Sequence, residues 1–174
     1  MISRLVYRSR QFRNALPGPR KRITSESLVA YLTPDQLMLF RRMQPSEQVH
    51  AYQIFKHLET AGQTDPDLLA AALLHDVGKI LHPLSIFDRV MIVLGKRLFR
   101  GATQRWAVGT PYGLRRPFVV AARHAEWGAD LASRAGATSR TVELIRHHHE
   151  ARLPNPGSHA ERLLAALHTA DDEN

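Results

Sequence analysis

Residues 68–79 read Leu-Leu-Ala-Ala-Ala-Leu-Leu-His-Asp-Val-Gly-Lys, an apolar run that ends on an imidazole and a carboxylate side by side. Asp65-Pro66-Asp67 before it supplies the cap and first-turn proline of a helix start, and Gly78 stops it. The expectation is a helix from Leu68 to about Val77. A helix apolar on every side is a buried one. His75 and Asp76 at its end must then be hydrogen-bonded, ion-paired or metal-bound, because burying polar groups alone is costly. Lys79, one turn past His75, can place a cation beside them.

Outward from this run, the chain reads as helices separated by turns. Short helices are expected at Leu28–Leu32 and Thr33–Met43, the second with Thr33 as cap and Pro34 in its first turn. A longer one runs from Pro45 or Ser46 to about Ala61 and ends at Gly62. Others fall at 84–100, 118–135, 138–151 and 158–170, with Pro154-Asn155-Pro156-Gly157 between the last two. The Gly- and Pro-rich stretch 101–117 reads as a loop. No segment alternates as a strand would, so the fold class is all-α. Leu16-Pro17-Gly18-Pro19 separates a basic amino-terminal arm, residues 1–25, from one helical domain, residues 26–174.

Composition narrows the classes. At 174 residues and 44% apolar content, the chain can bury a core as a single domain. The absence of cysteine excludes disulfides, thiolate metal sites and a cysteine nucleophile, and fits a cytoplasmic location. No apolar run reaches membrane-spanning length and no signal peptide is visible, so any membrane attachment is expected to be peripheral.

The net charge of +8 is uneven: residues 1–22 hold seven cations and residues 1–25 no acid, so the other 17 cations and 16 acids leave only +1. The arm is expected either to contact nucleic acid or an anionic membrane, or to be a solvated terminus. A second basic stretch, Arg89 to Arg123, has eight Arg or Lys and no acid. Within it Ile92, Val93, Leu94, Leu98 and Phe99 mix with Lys96, Arg97 and Arg100. A core helix is the first reading there. A lid, a homodimer surface and a membrane-facing patch are the alternatives.

The histidines carry the chemistry. Val142, Leu144 and Ile145 set the inward face of the 138–151 helix. His148 and His149 fall on or beside that stripe, and His147 points away. His124 shares a face with Val120, Trp127, Gly128 and Leu131, and His50 sits one turn before Ile54. Leu163, Leu164 and Leu167 lead to Asp171 and Asp172. Each position alone reads as a core histidine or a solvated acid. Together they place imidazoles and carboxylates on the core-facing sides of several helices, a usual way to build a metal site in a bundle.

The ordered set His50, His75-Asp76 within His-Asp-Val-Gly-Lys, His124 in His-Ala-Glu-Trp-Gly, His148-His149-Glu150 and Ala170-Asp171 resembles the HD-domain metal-dependent phosphohydrolases, over roughly residues 45–172. It is partly similar to the HD-GYP branch, which cleaves cyclic dinucleotides, but Ala151–Gly157 lacks the Gly-Tyr-Pro signature. The resemblance implies a compact helical bundle around one or two divalent ions. His50, His75, Asp76 and Asp171 would hold one. Asp76 would bridge to a second, held by His124, His148 and His149. Asp171 is preferred to Asp172 because it follows an apolar helix and a small residue.

With imidazole and carboxylate donors only, Fe, Mn, Ni and Zn are all suitable ions. A bound ion acidifies its water and polarises a phosphoryl oxygen. Asp76 and Lys79 are the expected catalytic residues, Lys79 as a phosphate-binding cation. Glu150 reads either as a support for a histidine or as an exposed helix end. The function expected is hydrolysis of a small phosphorylated molecule, in the first instance a nucleotide. The alternative is a non-catalytic helical scaffold with a structural metal site, recruited through its basic arm.

Overall fold

The helices are built from their first turns. The Thr33 hydroxyl accepts the Gln36 N–H while the Gln36 side chain accepts the Thr33 N–H, closing a capping box. Asp65 accepts from the N–H groups of Asp67 and Leu68, with Pro66 in the first turn. Ser85 pairs with Asp88 in a second box, and Thr138 caps onto Thr141. The structure, a computed structural model, describes residue 23, residues 26–150 and residues 156–173, with Glu26, Ser27 and Arg100 as backbone only. Of the basic arm at 1–25, all but residue 23 lies outside the described residues, as do residues 151–155 and residue 174.

In chain order the elements are α1 (Glu26–Val29), α2 (Pro34–Arg42), α3 (Pro45–Thr60), α4 (Pro66–Leu74), a 3-10 turn at Val77–Leu81, α5 (Ile86–Leu98), α6 (Arg100–Trp106), a 3-10 turn at Gly113–Arg115, α7 (Arg116–Arg134), α8 (Ser139–His147) and α9 (His159–Glu173). The fold is all-α, with no strand among the described residues. None of the described helices is long and apolar enough to cross a membrane.

Helix α4 is the axis of the core. All seven residues Leu68–Leu74 are buried, and α3, α8 and α9 pack around them. Burying a leucine fully is worth about 1.5–3 kcal/mol, so this one helix anchors much of the domain. The 3-10 turn after it lies flat against α7. A Cβ on Gly78 would stand 2.0 Å from the His124 carbonyl oxygen and 2.6 Å from the Gly128 nitrogen. Two glycines, 78 and 128, therefore let two backbones touch, and that contact fixes His124 opposite the end of α4.

Several boundaries differ from the sequence reading. Helix α4 stops at Leu74; His75 is its C-cap, and the chain tightens through Asp76 into the 3-10 turn, as Gly78 against α7 demands. Helix α8 stops at His147, leaving His148 and His149 in the turn beyond. The expected loop at 101–117 contains α6 and a 3-10 turn. Gly101 lies in the first turn of α6, where it disrupts little, while Ala102, Gln104 and Arg105 favour helix. The expected core helix at 84–100 is not one: of α5, only Gly95 is buried.

Candidate metal centre

Five elements converge on the carboxyl end of α4. Helix α3 brings His50, the end of α4 brings His75 and Asp76, α7 brings His124, the turn after α8 brings His148 and His149, and α9 brings Asp171. His75, Asp76, His124 and His148 are at most 4% exposed. The donors fall into two groups, each with its atoms within 4.8 Å of one another: Asp76, His124, His148 and His149, and His50, His75 and Asp171. The rings of His75 and His148, 5.1 Å apart, join the groups.

The local backbone orients these rings. His75 Nδ1 bonds the Ala72 carbonyl at 2.9 Å, His124 Nδ1 the Val120 carbonyl at 2.9 Å, and His148 Nδ1 the Ile145 carbonyl at 2.6 Å. A carbonyl only accepts, so each Nδ1 carries the proton and each Nε2 faces the centre. This is how a histidine is prepared as a metal ligand.

His124 Nε2 lies 3.2 Å from Asp76 Oδ1 and 2.6 Å from His149 Nε2. Lone pairs facing each other this closely need a proton or a cation between them. His148 Nε2 is buried with no hydrogen-bond partner at all. An orphaned buried nitrogen is rare in folded proteins. Beside a carboxylate and two further imidazoles, it fits a divalent ion.

At His148 and His149 the electrostatics agree. Burial, with His149, His75 and His124 close by, holds His148 well below the ordinary imidazole range. Burial and His124 press His149 down to about 3. Both rings are therefore neutral, as ligands must be. Burial alone would raise Asp76, but the charges of Lys79 and His75, with the His124 and His75 rings close by, hold it well below the ordinary value. Burial likewise disfavours the charged form of His75, yet the Asp76 carboxylate overrides it and pushes His75 up to about 9. Asp171 is drawn down to about 2: burial opposes ionisation, and the bond to His50 at 3.0 Å outweighs it.

Lys79 is where the sequence placed it, with Nζ 2.6 Å from Asp76 Oδ2. The same nitrogen is 3.5 Å from Glu47, which sequence reasoning missed. Glu47 is 3% exposed and also takes Arg89 at 2.6 Å. Its only sequence signal was an acid three residues before His50 on the same helix face. His147 stands outside both groups and pairs with Glu150 at 2.6 Å, so Glu150 supports no converging histidine. His149 sits at the rim, exposed on one side. A small cleft of about 150 Å³ opens there, lined by His148, His149, Glu150, His168, Asp171 and Asp172.

The described residues form an all-helical bundle that gathers two adjoining groups of histidines and carboxylates able to hold metal ions. Residues 48–171 match the HD domain family model, and the chain belongs to the HD-domain family, whose members are generally metal-dependent phosphohydrolases. No curated protein and no solved structure shows a significant match to the chain.

Proposed function

We propose that this protein is a phosphohydrolase using one or two divalent ions, Fe, Mn, Ni or Zn, on a small phosphorylated substrate, in the first instance a nucleotide. The observation that carries this reading is the orphaned Nε2 of His148, buried beside Asp76, His124 and His149. In this reading Asp76, His124, His148 and His149 would hold one ion, and His50, His75 and Asp171 would hold the other. When bound, such ions polarise a phosphoryl oxygen and acidify a water.

The chain's own groups do the rest. Asp76 is kept ionised by Lys79 and can serve both groups through its two oxygens. Lys79, held by Asp76 and Glu47, sets a fixed positive charge beside the centre, suited to a phosphoryl oxygen. The cleft has the volume of a few waters, so it suits a phosphoryl head with the remainder of the substrate outside the rim. The lack of cysteine supports a cytoplasmic setting.

The test is elemental analysis of untagged protein, followed by phosphomonoester and phosphodiester panels with each metal. One or two ions per chain and a metal-dependent activity are expected. Bound metal without turnover on any substrate would favour the scaffold instead. Protein that binds none of the four metals, and gains no thermal stability from them, would overturn both.

A further inference from the structure

Helix α5 leaves a large share of its apolar surface in solvent, with Val90, Met91, Ile92 and Val93 only half-buried. Its inner side is tied down by polar anchors: Arg89 bonds Glu47 at 2.6 Å, and Asp88 takes Arg116 at 3.1 Å. Gly95, its single buried residue, lies under the Phe118 ring so closely that a Cβ would meet it at 2.6 Å. On the outer side Phe87, Met91, Leu94 and Leu98 recur at spacings of four, three and four, forming one stripe. Phe87 is 69% exposed, Leu94 50% and Leu98 64%, and Phe99 extends the stripe at its end. Of the eleven large apolar side chains that are exposed among the described residues, eight fall between 86 and 114. Such concentration marks a contact surface rather than the scattered apolar residues of an ordinary exterior.

The charge says what kind of contact. From Arg89 to Arg123 there are eight cations and no acid; Arg89, Arg116 and Arg123 are paired with Glu47, Asp88 and Glu126, while Lys96, Arg97 and Arg105 are exposed. A second copy packed along the stripe would bring like charges together. The nearest acid, Asp88, is already engaged by Ser85 and Arg116. An anionic bilayer satisfies both halves of the surface: the acyl boundary takes the phenylalanines and leucines, and the headgroups take the cations. The amino-terminal residues 1–22 add seven more cations.

We propose that α5 and the turn into α6 dock this protein on an anionic lipid surface, with the Phe87–Leu98 stripe set into the headgroup–acyl boundary. This inference does not depend on the catalytic reading. The full chain is co-sedimented at physiological salt with vesicles of phosphatidylcholine alone, and with an equimolar mixture of phosphatidylcholine and phosphatidylglycerol. Binding to the mixed vesicles only is expected.

Leu94→Ser with Leu98→Ser should lower the bound-to-free ratio by about tenfold or more, since two leucines lose their apolar contact. Circular dichroism should be unchanged, because both side chains are exposed. Phe87→Ser, a single exposed change, should weaken binding in the same direction and decides the matter if the double variant unfolds. No binding by the wild type overturns the proposal. Equal binding by the stripe variants does too, since the arm alone would then suffice. A dimer that the stripe variants convert to monomer, with vesicle binding intact, would reassign the surface to a second copy.

Discussion

The end of α4 and the outer face of α5 break the same rule in opposite directions. Around α4, ionisable groups sit inside an apolar core; along α5, apolar groups face outward while charged ones anchor the inner side. Proteins usually bury apolar groups and leave charges in water. Each departure has a local cause. The buried histidines are supported by backbone carbonyls and a carboxylate, and α5 is anchored through Arg89 and Arg116 while Phe87, Leu94 and Leu98 stay in solvent. Regions that go against the ordinary pattern are where function is expected.

The widest gap between the two regions should appear when one substitution is made in both. Leu73 is fully buried in α4, whereas Leu94 is half exposed on α5. Leu73→Ala should cost about 2–5 kcal/mol, the lost transfer energy plus a cavity. Leu94→Ala should change stability by no more than about 0.5 kcal/mol. Urea unfolding of both variants gives the comparison directly. A large cost at Leu94 would show that the stripe is packed in solution and therefore covered.

Next in size is Asp76→Asn. The amide keeps the shape but removes the charge that His75, His124 and Lys79 all face. Metal content should fall, and hydrolysis with it by about 100-fold or more, the cost of a misplaced reacting group. The protein should still fold, which circular dichroism checks. In a scaffold the same change would lower stability by about 1–3 kcal/mol and leave no turnover to lose.

Much of the helical frame was legible because caps and apolar periodicity are local signals: Thr33 and Asp65 lie where two of the helices begin. The positions that converge on Asp76 could be read as a set because His50 and His124 share faces with apolar residues and because the order of all the histidines and aspartates resembles that of the HD-domain family. What was not legible depended on contact between distant segments. Nothing local to Gly78 says that α7 presses on it and so tightens His75–Leu81 out of a regular helix. Glu47 looked like a first-turn surface acid, and only the approach of Lys79 and Arg89 from elsewhere makes it a buried partner. Helix α5 carried enough apolar residues for a core helix; its exposure follows from polar anchors contributed by α3 and α7.

The histidine triplet tests how narrow the converging region is. His148→Ala removes the orphaned nitrogen and should lower both metal occupancy and turnover. His147 has its ring outside, paired with Glu150. His147→Ala should leave both unchanged and shift stability by no more than about 0.5 kcal/mol. Metal analysis of the two variants side by side separates them. If His147→Ala lost more metal than His148→Ala, the placement of the turn after α8 would be wrong.

The smallest expected effect concerns the anchor of α5. Asp88 receives the Ser85 N–H and hydroxyl and the Arg116 guanidinium. Burial nudges its carboxyl upward, but the hydrogen bonds from Ser85 and the charge of Arg116 outweigh that and hold it below the ordinary 3.8. A carboxyl lowered in the folded state adds stability above the unfolded value, and that stability is lost as pH falls through the folded one. Asp88→Asn keeps a cap acceptor but has no charge to titrate. The stability difference between wild type and variant should therefore be steady near neutrality and shrink in acid. Its size should be under about 1 kcal/mol, because the pair with Arg116 is partly solvated. Thermal melts of both proteins across the acid range measure it, and the subtraction removes the other carboxylates. A difference that stays flat throughout would mean that the ionised Asp88–Arg116 pair does not hold α5, leaving Arg89 and Glu47 as its principal anchor.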